Sequence, residues 1–298
     1  MITFRELGRQ LLPPIVTRGI RKARTLNLFN RRNNTQKVLF DAPGHPVVRT
    51  FDDVSKTANA IEGMMGTFSM EVFDCLLSFQ RETGTQGHII EFGSFHGRSA
   101  AILASRMQSS ERLILVDPDD QLDRATLSGI REFEFVKTSS EQFRDTFRDF
   151  DDIRNRCRFI HVDSSHFFST TFRELQIAED LIADRGVIAL DDFANLHYSQ
   201  IAAALYRYLY TANTTLCLFL VTHEKAYLCK RRDFQLYGSY ILDRLCEEMS
   251  DRGRGTKYCL SRTNIEEGHR AFHIRTVWQD EEAGLYGYSI YRDFYDTP

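Results

Sequence analysis

The sequence predicts an α/β protein built on a doubly wound, mostly parallel sheet, and three observations carry that prediction. His88 to Ala104 reads as an apolar strand, a glycine turn and the start of a helix. Further apolar runs recur at 112–116, 158–162 and 187–190, separated by stretches of helical spacing. Those runs lead into acids, Asp117, Asp163 and the pair Asp191-Asp192, and in an open parallel sheet the carboxyl ends of the strands are where ligands bind.

A chain of 298 residues buries a full core and suits one domain with extensions. The boundaries read as a basic arm and linker over 1–60, a ligand-binding domain over 61–232 and an aromatic-rich extension over 233–298. A net charge of −3 excludes little, and no nucleic-acid partner is expected. It hides a basic segment at 1–32, where eight Lys and Arg face the single acid Glu6. Arg18, Arg21, Lys22 and Pro13-Pro14 interrupt it too often for a signal peptide or a membrane span. Two readings stay open: a solvated or subunit-docking arm, or a strip with Leu11, Leu12, Ile15, Val16 and Ile20 laid on an anionic membrane surface. Six cysteines without a C-x-x-C pair favour reduced thiols in the cytoplasm.

Residues 33–57, with Asn33-Asn34, Pro43-Gly44 and Pro46, read as linker or loop. From Ile61 an apolar pattern through Met70, Phe73 and Leu77 reads as a helix ahead of the first strand. The turn that follows that strand is Gly93-x-x-x-Gly97. It lacks the three glycines of G-x-G-x-x-G that admit a pyrophosphate, which argues against a dehydrogenase. Glu91 inside the strand repels a pyrophosphate but welcomes an ammonium group. Asp117, about twenty residues past the turn, stands where an acid holds ribose hydroxyls. An adenosine with an amino-acid tail satisfies both, and Gly93, Ser94, Gly97 and Ser99 supply the turn and first helical residues around it.

Residues 131–137 alternate as a third strand, ending near Ser140 and Glu141, which read as an N-cap with a first-turn acid. Residues 144–156 alternate acids and bases as a solvated helix does. Strand 158–162 runs into Asp163-Ser164-Ser165-His166, then a helix from Phe172, a turn at Asp184-Arg185-Gly186, and strand 187–190. Tyr198 to Tyr210 is helical, 216–221 and 226–230 form a last hairpin, and Phe234 to Met249 is helical again. The tail beyond, at Tyr258, Ala271 to Trp278 and Leu285 to Tyr295, reads as core or a homodimer contact, with stacking on sugar faces as a further use of its aromatics.

Glu91-x-Gly93-x-x-x-Gly97 followed by Asp117 resembles the first two motifs of class I S-adenosylmethionine-dependent methyltransferases. The resemblance implies a Rossmann-like, seven-stranded sheet with an antiparallel last strand, and S-adenosylmethionine as cofactor. It also brings Ser140 and Glu141 toward the adenine edge. Asp163-Ser164-Ser165-His166-Phe167-Phe168, Gly186 and Asp191-Asp192 resemble the small-molecule and sugar O-methyltransferase branch, which includes macrolide-sugar enzymes. That branch more usually has Gly where Ser164 stands. Some of its members bind magnesium through such acids, so the resemblance implies Mg2+ on Asp163, Asp191 and Asp192 with His166, helped by Asp163, as catalytic base. Read singly, Asp163 is a turn cap and His166 a packing residue, and His96 and His197 are lesser candidates. The Leu-Leu-Pro-Pro-Ile run of the arm resembles leaders of methyltransferases of bacterial surface polysaccharide synthesis. A non-catalytic scaffold with the same fold is the alternative to an enzyme.

Overall fold

The computed structural model describes residues 50–263, 270–277 and 284–285. The basic arm at 1–32 and the segments around Trp278 and Tyr295 lie outside the described residues. Two helices, α1 (Phe51–Ala60) and α2 (Thr67–Glu82), precede a chain of alternating strands and helices. These are β1 (His88–Phe92), α3 (Arg98–Ser105), β2 (Leu113–Asp117), α4 (Arg124–Ser128), β3 (Glu134–Lys137), α5 (Phe143–Thr146), α6 (Phe150–Ile153), β4 (Cys157–Val162), α7 (Phe168–Leu181) and β5 (Ile182–Leu190). Then come α8 (Gln200–Thr211), β6 (Leu216–Val221), β7 (Ala226–Lys230), α9 (Phe234–Tyr240), a π-turn, α10 (Cys246–Arg252) and β8 (Tyr258–Arg262), β9 (Phe272–Thr276) and β10 (Gly284–Leu285).

The ten strands of the described residues form one sheet, ordered β10-β8-β9-β6-β7-β5-β4-β1-β2-β3. The five strands from β1 to β5 pair in parallel, and β7 lies antiparallel between β5 and β6. The expected seven-stranded core with an antiparallel last strand is therefore present. Three further strands continue it past β6, where the tail was read as core or dimer contact.

Period-two alternation sorts the strand residues between two cores. Ile89, Phe159, Val187, Ala189 and Tyr227 pack with α1, α2 and α3 on one face, while Ile90, Phe92, Ile160, Ile188 and Leu190 pack with α7 and α8 on the other. Glu91 and His161 share the parity of the first set and so stand, buried, beneath α2. No helix among the described residues is long and apolar enough to cross a membrane.

Three local readings change. Residues 51–60, inside the stretch read as linker, are helical: Thr50 and Asp53 form a reciprocal capping box, and Val54 and Ala58 are buried. Residues 144–156 are not one solvated helix but lie across α5 and α6, because Phe143, Phe150 and Ile153 must reach the core. The turn at 184–186 lies within β5, where Arg185 takes a left-handed conformation (φ 58°) and the pairing with β4 shifts register.

Candidate active site

The glycine turn is held together by Asp117. Its Oδ2 accepts the N–H groups of Ser94 (2.9 Å) and Phe95 (3.1 Å), and its Oδ1 accepts that of Asp119 (2.9 Å). The Gly97 N–H closes the turn on the Ser94 carbonyl at 2.8 Å, and Gly97, left-handed at φ 94°, caps α3. Gly93 has a reason beyond ligand approach: a Cβ there would lie 1.9 Å from the Asp163 carbonyl oxygen, so glycine lets the β4–α7 loop cross the end of β1. Ser99 is buried in the first turn of α3. Two buried atoms at this junction, Glu91 Oε2 and Ser94 Oγ, have no hydrogen-bond partner. They fit a ligand that donates N–H or O–H groups, as an amino-acid ammonium does.

A two-tier polar cluster stands beside the turn. Sheet register aligns Glu91 with His161, His161 with Ala189 and Ala189 with Tyr227. Two residues further along β4 and β5, and one before β7, the same parity places Asp163, Asp191 and Lys225 above them. His161 Nδ1 lies 2.7 Å from Glu91 Oε1, and its Nε2 lies 3.6 Å from Asp191 Oδ2. The Lys225 ammonium is ion-paired to that same Asp191 oxygen and is itself buried. Burial alone would lower the His161 pKa, but its contacts with Asp191 and Glu91 outweigh that and bring it to about 9. Burial would raise Asp191, yet Lys225 and His161 hold it well below the usual carboxylate range. Asp163 is pushed well above that range by burial and by the charge of Asp191.

His166 lies on the open side of the cluster. Its Nε2 is 2.9 Å from Asp192 Oδ2, and its ring stacks on Tyr198 with centroids 3.9 Å apart. Asp192 is left-handed (φ 55°) and accepts the Asn195 side-chain N–H at 2.9 Å, which fixes the carboxylate that faces the ring. Ligand atoms of Asp163, His166 and Asp192 lie within 4.8 Å of one another, as do those of His161, Asp163 and Asp191. Of the acids proposed for a divalent ion, Asp163 and Asp192 thus fit, whereas Asp191 is engaged by Lys225.

Ser140 and Glu141 separate. Glu141 is exposed, while Ser140 is buried with its Oγ 3.0 Å from that of Ser164. Ser164 in turn donates to Glu174 of α7, whose carboxyl burial pushes up to about 7. The side chain of Ser164 therefore ties the β4–α7 loop to the turn after β3 and to α7. His96 lies partly exposed in the glycine turn, with its Nδ1 2.7 Å from the Gln121 carbonyl oxygen.

The match to known families falls on this region, with residues 90–193 matching the family described as a methyltransferase domain. Those residues are a methyltransferase domain. The matched span holds Glu91, the glycine turn, Asp117, Asp163, His166, Asp191 and Asp192, so the enzyme class read from the sequence, an S-adenosylmethionine-dependent methyltransferase, stands. Among solved structures, cofactor-bound Rv0187 from MTB is 13% identical, over 69% of this chain and 95% of that one, with a TM-score of 0.47. The apo form of CalS11, a TDP-rhamnose 3'-O-methyltransferase of calicheamicin biosynthesis, is 14% identical over 63% and 95%, TM-score 0.42. MycE of the mycinamycin pathway, in complex with Mg, SAH and mycinamycin VI, is 14% identical over 60% and 54%, TM-score 0.45. A search of curated proteins gave no match.

Two members of the two-tier polar cluster, His161 and Lys225, are absent from the candidates read from the sequence. His161 interrupts an apolar strand, which is a signal in itself, because a titratable group there must find partners. Lys225 sat in a stretch read as a hairpin turn, and nothing local marks a turn lysine as buried.

Proposed function

We propose that this chain transfers the methyl group of S-adenosylmethionine to a hydroxyl of a saccharide or similar hydroxylated small molecule, with His166 as general base. The observation that carries this is the His166–Asp192 pair at the carboxyl ends of β4 and β5, beside the glycine turn. S-adenosylmethionine supplies, when bound, a methyl group already activated on a sulfonium, so the protein has to align the acceptor and take its proton. Glu91 and Ser94 are suited to the amino-acid end, and the Asp117 turn to the ribose, with Gly97 and Ser99 opening α3 behind it. Asp192 holds Nε2–H of His166, which leaves the Nδ1 lone pair to accept the hydroxyl proton. An oriented base of this kind has no use in a scaffold, which is why the enzyme is preferred. The acceptor class and a place in polysaccharide synthesis rest on the resemblance.

A second reading is favoured by the convergence of Asp163, His166 and Asp192. Mg2+ held there would orient and acidify the acceptor hydroxyl, and His166 would then be a ligand and not the base. The test is a screen of sugar acceptors for a gain of one methyl by mass spectrometry, repeated with His166→Ala and with excess chelator. The base reading expects kcat to fall by about 10²- to 10⁴-fold in the variant, with acceptor KM little changed and chelator without effect. Full activity of His166→Ala refutes it, and loss of activity in chelator moves the assignment to the ion. The arm at 1–32 retains both of its readings, and cytoplasmic location and a homo-oligomer remain part of this proposal.

A further inference from the structure

We propose that Lys225 is the resident cation of the site: its ammonium neutralises Asp191 and excludes a divalent ion from that carboxylate. This rests on reading the acid cluster as the reacting site, but its test reads ion binding and not methyl transfer.

Lys225 is not a surface lysine that drifted onto an acid. It is almost fully buried, its Nζ lies 5.8 Å from the centre of the Phe73 ring, and its head group is paired with Asp191. Its backbone is pinned at both ends, with its N–H donating to Thr222 Oγ1 at 2.9 Å and its carbonyl accepting the Thr222 N–H at 2.8 Å. A buried ammonium on a fixed backbone has no hydrated alternative nearby, so it cannot step aside for an arriving ion without giving up its ion pair with Asp191.

The surrounding charges point the same way. On its other side Asp191 faces His161 of β4, whose Nε2 is 3.6 Å away and whose Nδ1 is held by Glu91 of β1, while Asp163 supplies the neighbouring carboxylate and Tyr227 of β7 and Phe73 of α2 close the lower tier. Asp191 thus already holds a buried ammonium. A divalent ion bound to it would sit against that charge, and like charges brought together in a site shielded from water repel strongly. An ion remains free to use Asp163, His166 and Asp192 without Asp191.

Manganese binding read by electron paramagnetic resonance tests this on the full chain. Wild-type affinity for Mn2+ should be unchanged by Asp191→Asn, whether that affinity is negligible or belongs to Asp163, His166 and Asp192. Lys225→Met keeps the stem and removes the charge, and should bind Mn2+ about tenfold tighter or more than wild type. Adding Asp191→Asn to it should abolish the gain, and Lys225→Arg should show none. A wild-type Mn2+ site that disappears in Asp191→Asn overturns the proposal, as does a folded Lys225→Met with no gain. If Lys225→Met does not fold, the comparison of wild type with Asp191→Asn still decides. Failure of the methyltransferase reading would appear separately, as absence of methyl transfer with the ion-binding pattern intact.

Discussion

Asp117 shows how a side chain read as a ligand contact also holds the backbone around it. Its position after an apolar strand, about twenty residues past a glycine turn, was enough to read a ribose-binding acid. What the sequence could not reveal is that three backbone N–H groups converge on the same carboxylate. Hydrogen bonds to a charged group are worth about 1.5–3 kcal/mol, so Asp117→Ala should loosen the turn at Ser94 and Phe95 as well as remove a ribose contact. Calorimetry should find S-adenosylmethionine binding weakened by that order. Unchanged affinity would remove Asp117 from the binding site. Gly93 carries the same lesson: the motif announced a close backbone approach, but the nearest approaching backbone belongs to Asp163.

At the level of elements, strands were easier to read than the helices between β3 and β4, because buried parallel strands declare themselves as apolar runs. Residues 144–156 follow the charge pattern of a solvated helix while their few large apolar residues dictate two short, half-buried ones. Helix α7 carries a feature with no sequence signal, the buried carboxyl of Glu174 reached through Ser164 and Ser140. Its pKa is raised by burial from 4.5 to about 7, against the lowering effect of the two serines. A carboxyl with a raised folded-state pKa favours the folded protein fully below the unfolded value of 4.5, and that contribution is lost as pH rises through about 7. Replacing Glu174 with Gln removes the titration. The stability difference between Glu174→Gln and wild type should therefore grow in the variant's favour between these pH values, by on the order of 2 kcal/mol. Urea unfolding across that range checks it, and a difference that stays flat with pH would show that Glu174 is not the titrating group.

For the molecule as a whole, the question is what the chain beyond α10 does. The aromatic tail left core and homodimer contact both open, because burial against one's own sheet and against a second copy select the same residues. In the described part of the tail, β9 pairs in parallel with β6 at Leu220–Phe272 and Val221–His273, and β8 pairs antiparallel with β9. Leu260, Phe272 and Ile274 are fully buried, and the Tyr258 hydroxyl donates to Glu71 of α2 at 2.6 Å. Burying each such apolar side chain contributes roughly 1.5–3 kcal/mol, a large part of the about 5–15 kcal/mol that holds an ordinary domain together. A chain ending at Arg252 would also leave the edge of β6 unpaired and Glu71 buried without its hydroxyl partner. We expect that truncated chain to aggregate, or to unfold in urea at a much lower midpoint than the full chain. Gel filtration and urea titration of the two proteins distinguish the roles: an unchanged midpoint with a smaller assembly would mean that the tail serves subunit contact and that the sheet is complete at β6.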